Sequence, residues 1–529
     1  MLDLTQLPDI ARREGGVSRR LFLAYTASLS ATAWLGGRTT ARARSVSFSS
    51  DPFSLGVASG DPAPAGVVLW TRLAPRPLEP GGGTPRESVE VAWEVARDDA
   101  MRDVIQRGTD VATPELGHSV HVEVDGLDAN RWYWYRFRAG DAESTIGRTR
   151  TLPTADSSPP ELRFAFASCQ RYEHGLFTAY EHMAREELDL VFHLGDYIYE
   201  YESQRGRVRE VVGREIATLE DYRIRHAQYK SDGLLQAMHA RAPWIVTWDD
   251  HEFDNNCAND ISEEAGVDPV DFLVRRANAY QAYYEHMPLR RLSVPRGPDM
   301  QLYRKLSFGK LAEFLVLDTR QYRTDQPNND KRSDINEAAL SPQATLLGAR
   351  QRDWLETALG RSTAAWNVLA QQVMMGMVDL EPGRSQKYWM DQWPGYMHDR
   401  QRLLKFCQQR EVSNPIVLTG DYHANWVNNV RVDDRQPDSP VVATEFVGTS
   451  ISSEGDGVES PVDRPTIMAE NPGVQFYNRE RGYVRCTVTP EAWQSEFRVV
   501  PYVTRPGAPI STRASFVVAA GKPGAVATA

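Results

Sequence analysis

Leu188-Asp189-Leu190-Val191-Phe192-His193-Leu194-Gly195-Asp196-Tyr197-Ile198-Tyr199-Glu200-Tyr201 is a short apolar run that breaks into a carboxylate and phenols. An almost continuous apolar stretch of this length predicts a buried strand, with Asp196 leaving its end and Tyr199 following three positions later. Taken alone, the stretch also fits a strand-end turn in which Asp196 makes an Asx hydrogen bond and Tyr199 packs in the core. Its neighbours show a pattern. Similar runs occur at LRFAFAS (162–168), WIVTW (244–248), AEFLVLD (312–318), WNVLA (366–370) and PIVLTG (415–420). Amphipathic helical spacing covers 219–241, 270–286, 347–359 and 399–410. This alternation predicts an α/β domain over residues 161–510. Polar groups cluster at the strand ends, where open α/β sheets gather their ligands.

Upstream, residues 50–152 read as all-β. Runs such as 66–70, 89–95 and 132–137 cluster or alternate β-formers between Gly, Pro and Asp turns, which predicts a small sandwich of immunoglobulin or fibronectin type. TADSSPP (154–160) is the expected linker. The Gly/Ala-rich residues 511–529 are expected to be a flexible tail. Residues 1–43 read as a targeting segment: Ser18-Arg19-Arg20-Leu21-Phe22-Leu23, a weakly apolar run to Trp34, then Ala41-Arg42-Ala43. Paired arginines before such a run resemble a twin-arginine signal, implying the twin-arginine export machinery as a partner and a secreted or periplasmic location.

A formal net charge of -11 supplies no positive field to recruit duplex DNA, so no nucleic-acid partner is expected. After the N-terminus no apolar run reaches the roughly 20 residues a bilayer span needs. Four widely separated cysteines in 529 residues are too few for a disulfide framework. Sequence alone leaves the state of Cys257, Cys407 and Cys486 open.

Beyond the opening stretch, three others carry chemistry. WDDHEFDNN (248–256) packs acidic side chains, a histidine and two amides into nine positions after a strand. Crowded carboxylates raise one another's pKa, and a bound cation removes that penalty. An exposed acidic loop is the plainer alternative, but it has no need of the flanking Trp248 and Phe253. LTGDYHANW (418–426) sets Asp421 and His423 two apart, on one face of an extended chain. FASCQRYEHG (166–175) ends a strand at Cys169, a ligand type favouring a softer or redox-capable metal.

In order and at strand ends, SCQ, GDYIYEY, WDDHE, LDTRQYR (317–323), NVLAQQ (367–372) and GDYH resemble the PhoD-like, or alkaline phosphatase D, family of calcineurin-like metallophosphoesterases. The chain departs from the wider superfamily pattern of Asp-x-His, Gly-Asn-His-Glu and Gly-His-x-His at each position. Gln371 or Gln372 stands nearest the place of the superfamily's isolated histidine. The resemblance implies a four-layer αββα sandwich behind the β-rich segment. It also implies a ligand set: Cys169, Asp196, Tyr199 and His423 for iron(III), and a calcium site completed by the bridging Asp196, Asp250, Asp421 and Asn256.

The implied activity is hydrolysis of phosphate esters by a metal-activated water, as an alkaline phosphatase or phosphodiesterase. Arg320 is open to two readings, a clamp on the phosphoryl group or an internal ion pair. His251 is read either as the acid that protonates the leaving alkoxide or as a partner orienting Asp250. Trp389, Trp393 and Tyr396 would line a substrate mouth or pack in the core. Alternatives are a phospholipase D acting on phosphatidylcholine-type lipids, a calcium-stabilised surface binding protein, and an iron oxidoreductase.

Overall fold

The computed structural model describes residues 47–528 except Pro85, Pro382 and Arg384, so the targeting segment lies outside the described residues. Two large sheets face each other. In the first, strands Leu162–Ala167, Leu190–Leu194 and Trp244–Thr247 run parallel at the centre. In the second, Ala312–Val316, Trp366–Ala370, Pro415–Thr419 and Ala443–Val447 do the same. Their inner faces meet in one apolar layer that includes Phe164, Phe192, Phe314, Val368, Leu418 and Phe446. Phe164 packs edge-on against Phe192, Phe314 and Trp493 with centroids 5.3–5.5 Å apart, the favoured geometry for aromatic quadrupoles.

Helices cover both outer faces, which makes the four αββα layers. Thr178–Met183, Leu219–Lys230, Gly233–His239 and Pro269–His286 lie on the first sheet, and Gly348–Arg361 and Met397–Gln409 on the second. The segment read as one helix over 219–241 is two. Asp232 caps the second by accepting from the amides of Leu234 and Leu235, which interrupts the run.

Two expected boundaries are corrected. The N-terminal β region is a sandwich, but not a separate one. Val57–Ala63, Gly66–Arg72 and Ser119–Asp125 extend the first large sheet, joined by parallel pairing of Gly60 with Trp244. Only the leaf built on Val89–Ala96, Val104–Ala112 and Trp132–Ala139 is its own sheet. Residues 511–528 are not a tail: Ser511–Ala519 and Lys522–Thr528 form the far edge of the first large sheet. Phe516 and Val518 alternate into the central core, so burial on one face outweighs the weak strand propensity of the Ala and Gly around them.

Every parallel strand exits on the same side. An isolated parallel bridge between Ser168 and Ser450 ties the two sheets at that end. Gly195 holds φ +107°, and a Cβ there would sit 2.4 Å from the Cβ of Asp249. Glycine is thus required where two strand-exit turns touch.

Candidate metal centre

The exits bring Cys169, Asp196, Tyr199, Asp250, Asp421 and His423 together. Ligand atoms of Cys169, Asp196 and His423 lie within 4.8 Å of one another, as do those of Asp249, Asp250 and Asp421, and those of Asp196, Asp250 and His251. Asp196 belongs to the first and third groups, the position of a bridge. Cys169, Asp196, Asn256, Asp421 and His423 all have φ between +45° and +59°. Non-glycine residues adopt this region at a cost, and such positions concentrate at ligand clamps.

The turns are locked by backbone hydrogen bonds. The amide of Cys169 donates to Gly195 O (3.1 Å) and that of Gln170 to Asp196 O (3.0 Å). The buried Glu252 accepts from the amides of Asp196 (3.0 Å), Tyr197 (2.5 Å) and Asp249 (2.8 Å), joining the two acidic turns. Burial raises its pKa to about 8, with Asp196 adding to the rise.

On the first side, Tyr199 Oη donates to Asp196 Oδ2 (2.7 Å) and lies 3.0 Å from His423 Nε2. Ser453 Oγ is 2.8 Å from Tyr199 Oη and 2.8 Å from Cys169 O. His423 Nδ1 faces Glu454 at 3.5 Å, the carboxylate behind a histidine that fixes ring orientation in metal sites. Burial, with Asp196 next, holds the Cys169 thiol well above its ordinary pKa.

On the second side, burial raises Asp249 well above the ordinary carboxylate range and Asp421 to about 6. Burial would raise Asp250, but Arg320, His251, the Asn256 amide and Arg323 together hold it below that range. Asp196 Oδ1 and Asp249 Oδ2 are buried without a hydrogen-bond partner among the described residues. Such oxygens cost several kcal/mol unless a cation or water meets them. A thiol, a phenol and an imidazole around one carboxylate oxygen suit a softer or trivalent ion, and the all-carboxylate side suits a hard divalent one. The residues therefore fit a metal pair.

Asn256 joins through its backbone: its amide donates to Asp250 Oδ2 (2.7 Å) while its side chain donates to Asp330 (2.5 Å). Arg320 adopts the internal arrangement. It is fully buried and donates to Asp249, Asp391 (2.9 and 3.1 Å) and Asp421 (3.3 Å), leaving no arm for a phosphoryl group. His251 Nδ1 pairs with Glu200 Oε2 at 2.8 Å, and its ring lies 4.1 Å from that of Tyr199. Burial would lower the His251 pKa, but Glu200, Asp196 and Asp250 raise it well above its ordinary value.

Trp393 and Tyr396 are fully buried core residues, whereas Trp389 is 37% exposed beside Arg332. Gln371 and Gln372 bind backbone and threonine groups between strands, outside the acidic cluster. Sequence reading missed Asp249, Asp391, Gln392, Ser453 and Glu454. Gln392 donates to Asp421 Oδ2 (2.6 Å), and Asp391 links Arg320 to Arg323 (2.7 Å). Asp249 had a signal in the doubled Asp of WDDHE. The others lie in loops with no motif of their own. All four cysteines are free and buried, which settles the open question of pairing.

Among the described residues no helix is long and apolar enough to cross a membrane. The family model of PhoD-like phosphatase matches residues 164–497, and that of the PhoD-like phosphatase N-terminal domain matches 39–153. Alkaline phosphatase D of Bacillus subtilis (strain 168) is 56% identical over 475 residues, covering 89% of this chain and 81% of that protein. A solved structure of PhoD, 54% identical, superposes with a TM-score of 0.89 over 92% of this chain and 93% of that one. Matched by the family model over residues 164–497 and 56% identical to a curated member over 89% of its length, the chain belongs to the PhoD-like phosphatase family.

Proposed function

We propose that this protein is an exported phosphatase or phosphodiesterase that hydrolyses phosphate esters with a water activated at two adjoining cation sites. Its family makes it a hydrolase of phosphoric ester bonds. The observation that carries the finer reading is the convergence of buried acids on one point, with carboxylate oxygens of Asp196 and Asp249 left without partners. Cys169, Asp196, Tyr199 and His423 would hold iron(III), and Asp196, Asp250 and Asp421, with Asn256, a calcium ion. Such a pair, when bound, would lower the pKa of a shared water from 15.7 toward about 7 and so make it nucleophilic at neutral pH.

The chain's own groups do the rest. Arg320 orders the proposed ligand Asp421 together with Asp249 and Asp391, so it acts on the site's carboxylates and not on the ester. His251, with Nδ1 tied to Glu200, keeps Nε2 to protonate the leaving alkoxide. The H251A enzyme is expected to lose most activity on esters with poor leaving groups. An equal loss across a leaving-group series would make His251 a purely structural partner of Asp250.

Metal analysis with an ester panel tests the whole reading. Iron plus a divalent ion, loss of activity on chelation, and turnover of nitrophenyl phosphate or its bis-ester are expected. Full activity after complete chelation overturns it. Preference for phosphatidylcholine within the panel would shift the reading to a phospholipase D. A calcium-stabilised binding protein is disfavoured because structural calcium has no use for Cys169 and Tyr199.

Export rests on Ser18-Arg19-Arg20 and its apolar run. Cells carrying R19K with R20K should retain the protein in the cytoplasm; undiminished export would remove the twin-arginine route.

A further inference from the structure

The cations nearest the acidic cluster are committed. Arg320 and Arg323 are fully buried among carboxylates and backbone carbonyls. Arg481, 2% exposed, donates to His423 O and Ser450 Oγ, both at 2.7 Å. Arg171 is different. Its backbone is fixed to the ligand turns: its amide donates to Ser453 Oγ (3.1 Å), and its carbonyl accepts from Ser452 Oγ (2.9 Å). That same Ser453 hydroxyl touches Tyr199 Oη and Cys169 O.

The Arg171 guanidinium lies over the Tyr199 ring at 5.4 Å and the Tyr201 ring at 4.9 Å. His251 packs on those two rings as well, at 4.1 and 5.5 Å. Arg171 and the proposed acid therefore share two aromatic neighbours, one of which, Tyr199, donates to Asp196. Its side chain is 12% exposed. Its one carboxylate partner is Glu173, reached at 3.4 Å from both Nε and Nη2, and Nη1 has no partner among the described residues. A guanidinium seated on aromatic rings, loosely tethered and with a free arm, is preorganised to meet two oxygens of one phosphoryl group.

We propose that Arg171 is a substrate-binding residue that receives the phosphoryl oxygens of the ester and of product phosphate. This rests on the reading of the site as a phosphoester hydrolase. Arg171 thus takes the clamp role that Arg320, with all its arms engaged, does not fill. A monoester, with its second negative charge and its extra unesterified oxygen, should depend on Arg171 more than a diester does.

The test uses metal-loaded enzyme, inorganic phosphate binding by calorimetry, and kinetics on nitrophenyl phosphate and its bis-ester. R171Q should lower kcat/KM for the monoester about ten- to a hundredfold, the usual range for a lost charged hydrogen bond, and weaken phosphate binding by a similar factor. The diester should lose less, with metal content and Tm kept. R171K, which keeps the charge but not the fork, should recover only part of the loss. R171Q that binds phosphate and turns over the monoester like wild type overturns the proposal. If R171Q does not fold, R171K decides, and wild-type phosphate affinity there also overturns it. Wild-type protein inert on every ester would instead sink the hydrolase reading, and phosphate binding needs no turnover to be measured.

Discussion

Two buried clusters of titratable groups flank the turn from Gly195 to Tyr199, and only one of them is built like a binding site. On one side stand Cys169, Asp196, Asp249, Asp250 and Asp421. On the other, around Tyr197, stand His193, His226, His239, His286 and Lys230, all buried. Burial disfavours charge in both, so it raises the carboxylates and lowers the histidines. The outcomes differ because a neutral imidazole is a serviceable aromatic. His226 stacks on His286 (4.9 Å, 13°) and His239 on Trp244 (3.9 Å, 22°). His286 is fixed in its neutral form, since Nδ1 must donate to Ala282 O and Nε2 must accept from Arg72. These histidines lie in regular helix and strand, whereas Cys169, Asp196 and Asp421 of the acidic cluster hold positive φ. Crowded carboxylates have no such neutral packing role, and Arg320 reaches only some of them. Burial alone does not mark a ligand site; a charge excess held by a strained backbone does.

The largest expected effect separates the clusters by activity. D250A should lose at least a thousandfold in kcat and part of its bound metal, measured by steady-state kinetics and metal analysis; near-normal turnover would remove Asp250 from the site. Next comes the pH dependence of stability, where the two clusters have opposite signs. In metal-stripped protein, Asp421 (about 6) and Glu252 (about 8) lie above their ordinary values of 3.8 and 4.5. Their stabilising share is present at low pH and lost as pH rises through 4 to 8. Bound cations remove that loss. The Tm difference between loaded and stripped protein should therefore widen from pH 5 to pH 8, and a constant difference would break this account.

The histidines act on the acid side. Burial lowers His193 to about 3, and His226, His239 and His286 well below 6.5. As pH falls below 6.5 the unfolded chain takes up protons that the folded chain refuses. Loaded protein should then lose up to about 1.4 kcal/mol per pH unit for each such histidine. Burial likewise lowers Lys230 from 10.5 to about 7, so stability from this group rises with pH between those values. The smallest effect sharpens the contrast. Both ring nitrogens of His193 lack partners among the described residues, so H193F should keep kcat within about twofold and make Tm less sensitive to acid between pH 6.5 and 5. A tenfold loss of activity would mean the imidazole cluster serves the reaction.

Much of this was legible in the chain. The apolar runs ending at Ser168, Gly195, Trp248 and Gly420 announced parallel strands, because a strand buried on both faces has to be apolar throughout. Asp196, Asp250, Asp421 and His423 were legible because they follow those runs directly. The strand over 511–519 was not, since its alternation is carried by few large side chains and its partner strand is formed by residues 492–500. Ser453, Glu454 and Asp391 were invisible for a related reason. They come from loops, and only the folded chain brings them near the site.

The sequence by itself determined the α/β alternation, the strand exits and the polar residues that leave them, since local apolar pattern dictates which segments are buried and where polar groups emerge. Only the tertiary structure decided that Arg320 is an internal organiser, that Arg171 keeps a free arm, and that four histidines pack as neutral rings. A side chain's charge and partners depend on the dielectric and neighbours that distant segments supply, and no stretch of sequence contains those.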